Sequence, residues 1–326
     1  MNVLVLLSLS DAQKNRLEAA VPKAAFTYAM DDVGIPGNAG LSLGESVTDE
    51  QVAAADVIVG NIPAPRLNAA RNLKLLQLNS AGYDNYLAAG TLPQNTMLAN
   101  ATGAYGQAVS EHMLAMVLAM MKHLTAYRDD QRAHVWLDHG PVTSMANAHV
   151  LVLGAGDIGT HFARLSTALG AHVTGLRRHV KAGSRPEGFA AVEPIDRLFD
   201  LLPQADVVAS FLPSTGATRH LAKSEFFEVM KPGAYFANGG RGDLVDQDAL
   251  AAALESGHLA GAALDVTSPE PLPADSPLWD APNIFITPHV SGGFHLPTVL
   301  DNVVDIAAEN LRHLQAGEPI RNEVAH

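Results

Sequence analysis

The stretch His149-Val150-Leu151-Val152-Leu153-Gly154-Ala155-Gly156-Asp157-Ile158-Gly159 decides the fold. Val150–Leu153 is a short apolar run that predicts a buried strand, and Ile158–Leu169 has the spacing of an amphipathic helix. The turn between them is G-x-G-x-x-G, and each glycine has a mechanical reason. Gly154 makes the tight turn. Gly156 lets the backbone approach a pyrophosphate at the helix N-terminus, and Gly159 lets helix and strand pack closely. A structural turn with no ligand is the competing reading. The α/β block around the motif favours a dinucleotide site built from Gly154, Ala155, Gly156, Asp157, Ile158 and Gly159.

Working outward, a block of alternating strands and helices runs from His149 to His289. Its predicted strands are His149–Leu153, His172–Leu176, Val207–Phe211, Tyr235–Asn238, Ala262–Val266 and Ile284–Thr287. Ser224 is placed to cap one helix and Asp246 another, which ends at Gly257. The first hundred residues alternate in the same way. Val3–Leu7, Val57–Val59 and Leu75–Leu78 read as strands, Ser10 with Gln13 as a capping box, and Gly34–Gly44 as a loop. Such alternation predicts parallel sheets covered by helices. Gly103–Arg128 reads as one long helix. Its middle, Met113–Met121, is apolar on every side, which calls for burial between domains or subunits. A last helix, Thr298–Gln315, stops near Gly317.

Composition narrows the function. The chain has 326 residues, 48% hydrophobic and 17% charged, which suits two globular domains. With 21 Lys+Arg against 34 Asp+Glu the net charge is −13, which argues against a nucleic-acid binder. It contains no cysteine, so disulfides, thiolate catalysis and Cys-ligated metals are excluded, and no H-E-x-x-H cluster suggests another metal site. The apolar start at Met1–Leu7 lacks a basic flank and stops at Ser8, and the longest apolar run is far short of a membrane span. A soluble cytoplasmic protein is the expectation.

NAD-binding turns place an acid about 20 residues on, for the ribose 2′-OH. Between Ile158 and Pro186 there is no Asp or Glu. The strand ends instead in Arg177-Arg178-His179, with Lys181 and Arg185 following. Local cations in an acidic chain suggest a 2′-phosphate, hence NADP, with NAD possible.

Ligands of open α/β sheets bind beyond the strand carboxyl ends. The last three strands are followed there by Arg241, Glu270 and His289. That set suits reduction of a 2-oxo acid. Arg241 would bind the carboxylate with its fork of donors and polarise the carbonyl. His289 would protonate the developing alkoxide. Glu270 would hold the other ring nitrogen and favour the charged imidazole. Each residue has a bland alternative as a surface turn, a solvated carboxylate or one of 14 histidines; jointly, behind a nucleotide fingerprint, they point to catalysis.

With these residues in place the chain resembles the D-isomer-specific 2-hydroxyacid dehydrogenases. Gly154–Gly159 looks like the cofactor fingerprint of that family. Met230–Gly242 resembles its arginine motif, Leu264–Pro273 its glutamate motif, and Asn283–His289 its histidine motif. The resemblance implies two Rossmann-like domains with parallel sheets and an active site in the interdomain cleft. It further implies a discontinuous, flavodoxin-like substrate-binding domain at 1–102 and 291–326, with the dinucleotide-binding domain at 103–290. Ser80, Ala81 and Gly82 fall in a loop like the one whose backbone N–H groups hold the substrate carboxylate beside Arg241. Asp265 matches a contact to the nicotinamide carboxamide, and Pro213 and Thr218 fall with the cofactor contacts. Arg177 stands where NAD-preferring members carry Asp. Members are usually homodimers, with the long helix near the interface.

Other readings on the same scaffold are weighed against this one. Formate dehydrogenases pair the histidine with a glutamine, which Glu270 argues against. The phosphoglycerate type usually carries a regulatory domain after this length. A nucleotide-sensing binding protein or corepressor would leave Arg241, Glu270 and His289 without a catalytic task. The substrate side chain would be read by loops around Asn61-Ile62-Pro63, Ser80–Tyr83 and Phe294–Pro297.

Overall fold

The structure, a computed structural model, describes residues 1–29, 47–180 and 186–325. The expected Gly34–Gly44 loop, Lys181 and Arg185 lie outside the described residues. The chain forms two compact units, Met1–Tyr105 with Gly292–His326, and Gly106–Ser291.

The first unit opens with β1 (Asn2–Val5), α1 (Asp11–Ala20), β2 (Ala25–Tyr28), α2 (Asp49–Ala54) and β3 (Val57–Val59). β4 (Leu75–Gln77), α3 (Asp84–Ala89) and β5 (Met97–Ala99) follow. The Ser10–Gln13 capping box forms at the start of α1, as expected. β3 is apolar and buried throughout, and β1 and β4 are so except for the exposed Asn2 and the buried, polar Gln77, as strands covered on both faces require.

The second unit begins with α4 (Gly106–Met121), α5 (Leu124–Ala133), β6 (His149–Leu153) and α6 (Asp157–Ala168). It continues through β7 (His172–Arg177), β8 (Ala191–Pro194), α7 (Leu198–Leu201), β9 (Val207–Ser210) and α8 (Ser224–Val229). β10 (Tyr235–Asn238), α9 (Gln247–Glu255), β11 (Gly261–Leu264) and β12 (Ile284–Ile286) complete it. The chain then returns to the first unit as α10 (Pro297–Ala316) and β13 (Glu323–Val324). α10 packs on α1 and ends at Gly317, whose φ of 71° is the left-handed conformation of a helix stop.

The sheet orders are β13-β5-β4-β3-β1-β2 and β12-β11-β10-β9-β6-β7-β8. Every pairing in the second sheet is parallel; in the first only β13 is antiparallel, on β5. In the second sheet the chain runs outward from β6 through β7 to β8, then crosses back to β9 on the other side of β6. That reversal opens a crevice at the carboxyl ends of β6 and β9, the usual ligand site of a doubly wound sheet.

Two expectations are corrected. The helix expected over Gly103–Arg128 is two helices, α4 and α5, because His123 turns left-handed at φ 55°. Tertiary contacts make the break: the Thr143 N–H caps the Met121 carbonyl, and His123 Nε2 lies 3.0 Å from the Pro141 carbonyl. Ser224 is the first residue of α8 and makes no capping bond; the N-cap position is Lys223. Asp246 does cap α9, accepting from the Ala249 N–H. β2, β5, β8 and β13 are strands additional to those expected. α4 packs on α6 and against β10, β11 and β12, burying Met113, Leu114, Met116, Val117, Met120 and Met121. Ala115 is exposed, so burial is not complete around it. Among the described residues no helix is long and apolar enough to cross a membrane.

Candidate active site

The glycine turn sits at the crevice between β6 and β9. Gly154 has φ +94°, and a Cβ there would stand 3.0 Å from the Phe211 carbonyl oxygen beyond β9. Gly159 meets that turn so closely that a Cβ would lie 2.2 Å from the Gly154 oxygen. Gly156 is different: nothing lies within 4 Å of where its Cβ would be. Gly156 is also the N-cap of α6, with no side-chain cap. The open face above a helix N-terminus, where backbone N–H groups lack intrahelical acceptors, fits a dinucleotide pyrophosphate. Ala155 is buried beneath the turn, and the Asp157 carboxylate lies 3.5 Å from His161 Nδ1.

At the end of β7, Arg177 folds back, its Nε donating to the Ala155 carbonyl of the glycine turn. Arg178 and His179 are exposed. Beyond β9, Thr218 Oγ1 donates to the Pro213 carbonyl at 2.6 Å and accepts from the Thr215 N–H, which closes that loop on itself.

The loop after β10 is pinned by Asn238, a side chain with no solvent exposure. Its Nδ2 donates to the Arg241 carbonyl at 2.9 Å, and its Oδ1 accepts from the Gly240 N–H at 3.2 Å. Sequence reasoning missed this residue; its position directly before a double glycine was the available signal. Arg241 is half-buried, with Nη1 donating to the Gly240 carbonyl.

His289 and Glu270 meet. His289 Nδ1 is 2.9 Å from Glu270 Oε2, and the Thr267 N–H donates to Glu270 Oε1 at 3.2 Å. The hydrogen bond to Glu270 raises the His289 pKa; partial burial and Arg241 oppose this, while the charges of Glu270 and Asp265 add to it. Partial burial would raise Glu270, but the hydrogen bond and charge of His289, the Thr267 N–H and Arg241 outweigh it and hold its carboxyl below the usual range. The pair thus favours carboxylate beside imidazolium. Arg241, Glu270 and His289 are brought together at one end of this sheet.

Asp265, at the end of β11, is 1% exposed. Its carboxylate accepts from Thr287 Oγ1 at 2.6 Å, from the Val290 N–H at 3.0 Å, and from the N–H and hydroxyl of Ser291. Its role as a hub was not legible from the motif.

In the first unit, the loop after β4 carries Ser80, Ala81 and Gly82. Its carbonyls are all taken: Tyr105 Oη donates to Asn79, the Ala101 N–H to Ser80, Asn100 Nδ2 to Ala81, and Ser80 Oγ to Gly82. Among the described residues the N–H groups of Ser80, Ala81 and Gly82 meet no protein acceptor. The loop is therefore a set of braced donors suited to an anion.

A doubly wound sheet with an open glycine turn at its crevice and an Arg, Glu and His set at its strand ends defines a nicotinamide-dependent oxidoreductase. The family model for the NAD binding domain of D-isomer specific 2-hydroxyacid dehydrogenases matches residues 114–291. A solved D-isomer specific 2-hydroxyacid dehydrogenase family protein from Aeromonas salmonicida is 33% identical, with TM-score 0.83 over 99% of this chain and 98% of that one. A D-isomer specific 2-hydroxyacid dehydrogenase from Xanthobacter autotrophicus, solved with NADPH and MES, is 30% identical, with TM-score 0.79 and coverage of 99% and 98%. A formate dehydrogenase of a Pseudomonas species is 31% identical over 291 residues, 86% of this chain and 71% of that protein. The chain belongs to the D-isomer-specific 2-hydroxyacid dehydrogenase family. It is a nicotinamide-dependent 2-hydroxyacid oxidoreductase acting on CH–OH donors.

Proposed function

We propose that the enzyme reversibly reduces a 2-oxo acid to the D-2-hydroxy acid, preferring NADP(H) to NAD(H). The observation that carries the reading is the 2.9 Å contact of His289 Nδ1 with Glu270 Oε2. It occupies one ring nitrogen and leaves Nε2 to give a proton to a developing alkoxide, and to take it back in oxidation. Bound nicotinamide supplies or accepts the hydride. Arg241 binds the substrate carboxylate and polarises the carbonyl, and the N–H groups of Ser80, Ala81 and Gly82 serve the carboxylate. Glu270 orients the imidazole and favours its charged form. Gly154–Gly159 holds the pyrophosphate, with Pro213 and Thr218 on the loop beyond β9.

NADP preference is supported by exposed Arg178 and by the absence of any acid from Ile158 to Pro186. Asp265 is assigned both to the nicotinamide carboxamide, as the resemblance implies, and to the support of His289, because its buried oxygens take four donors from Thr287, Val290 and Ser291. Purified protein with NADPH or NADH and a panel of 2-oxo acids tests the reading through the loss of reduced-nicotinamide absorbance. Absence of turnover across the panel, or a preference for NADH, overturns the corresponding part.

A homodimer in the cytoplasm belongs to the same reading. Leu124, Val135, Trp136, Leu137 and Val142 are exposed within one segment, and Trp136 is fully so at 103%. Clustered exposed apolar groups of this kind mark an interface, here with a second copy of the chain. Sedimentation equilibrium showing only monomer would refute it.

A further inference from the structure

We propose that His112 on α4 is a positioning residue that acts on His289 through Thr287 and the buried Asp265 carboxylate. This rests on the reading of His289 as the acid–base group.

His289 has φ 53°, a left-handed conformation that a residue with a Cβ seldom adopts without an external hold. The hold is Asp265. The His289 N–H donates to the Asp265 carbonyl at 2.8 Å. On one side of His289, Thr287 Oγ1 donates to Asp265 Oδ1; on the other, the Val290 and Ser291 N–H groups donate to the same carboxylate. One buried carboxylate therefore fixes the chain on both sides of the proton-transferring imidazole.

The hydroxyl proton of Thr287 decides how His112 enters. Thr287 Oγ1 is 2.6 Å from Asp265 Oδ1 and 3.9 Å from Met116 Sδ, so its single proton points to the carboxylate. His112 Nε2 lies 3.0 Å from the same oxygen. With the proton committed, that oxygen only accepts, and His112 must donate from Nε2. The contact fixes the tautomer of His112 and keeps the Thr287 proton aimed at Asp265. His112 Nε2 itself stands 4.0 Å from Asp265 Oδ1 and is the cation-capable group facing that side of the carboxylate. For a carboxylate as buried as Asp265, each donor matters more than it would in water. Loss of the His112 donor frees the hydroxyl to turn away and loosens the shell that sets His289.

The test compares His112→Leu, His112→Gln, Thr287→Val, Thr287→Ser and the Leu/Val double variant in steady-state reduction. His112→Leu and Thr287→Val should each lower kcat roughly tenfold, the scale of one hydrogen bond to a charged group, with the oxo-acid KM unchanged. The double variant should be no worse than the poorer single one, because both break the same chain. Gln, which can donate to Thr287, and Ser, which keeps the hydroxyl, should restore most of the rate. Additive losses, a Gln variant as slow as the Leu variant, or full kcat in His112→Leu would overturn the proposal. Should the Leu variant not fold, His112→Asn, too short to reach Thr287, takes its place against His112→Gln. His289→Ala keeps the two readings apart: retained kcat there removes the acid–base assignment, whereas its loss with an unaffected His112→Leu removes only this inference.

Discussion

Gly242 lies so close to Thr267 that a Cβ on it would stand 1.9 Å from the Thr267 carbonyl oxygen. Arg241 is its chain neighbour, and the Thr267 N–H holds Glu270 Oε1. A single glycine contact thus brings the arginine loop and the glutamate loop together.

Gly242→Ala should accordingly be damaging twice over. The obstacle is backbone, so the loops must part, and overpacking of this kind costs about 1–3 kcal/mol. Thermal unfolding should show that loss, and kcat should fall further than the fraction unfolded explains. Gly216, with nothing near its Cβ position, is the control, and Gly216→Ala should unfold with the parent. A parent-like Gly242→Ala would show that the two loops are not coupled.

Glu270→Gln keeps a partner for the ring but removes its charge. The His289 pKa is raised by Glu270, so in the parent the imidazolium persists to higher pH and reduction declines as pH rises through that raised value. Without the charge the pKa falls, and the basic limb of the reduction profile should move to lower pH. Overlaid profiles would remove Glu270 as the functional partner of His289.

His289→Ala and Arg241→Ala should separate kinetically. A general acid acts as the alkoxide forms, so His289→Ala should lower kcat about 10²–10⁴-fold with less change in KM. Arg241 is assigned to both substrate and transition state, so Arg241→Ala should raise KM and lower kcat together. Near-parent kcat in His289→Ala would sink the catalytic assignment.

The two arginines after β7 should differ. Arg177 is engaged on the Ala155 carbonyl, so Arg177→Ala should weaken NADPH and NADH alike by loosening the glycine turn. Arg178 is exposed, and Arg178→Ala should cost NADPH roughly tenfold in kcat/KM and leave NADH unchanged, as the loss of one charge-assisted contact would. Equal losses for both cofactors in Arg178→Ala would count against a 2′-phosphate contact.

Gly156→Ala should leave the melting temperature in place, since its Cβ position is open, yet weaken cofactor binding by filling the approach to the backbone. Titration of reduced-nicotinamide fluorescence measures this, and unchanged affinity would place the pyrophosphate elsewhere.

The sequence by itself determined the parallel α/β class, the three glycine positions and the arrival of Arg241, Glu270 and His289 at strand ends. These depend on local pattern: apolar runs of strand length, helix spacing, and residues immediately beyond them. The tertiary structure decided what depends on distant groups. α4 ends at Met121 because Thr143 supplies the donor that caps it, and no Gly or Pro marks the break. β13 exists through pairing with β5, more than two hundred residues away, and β2 and β8 are edge strands without a continuous apolar signal. Asn238 and Asp265 look like ordinary polar strand ends until the fold buries them. Their functional weight comes from low solvent access and from partners such as Thr287 and Ser291, which burial obliges them to find.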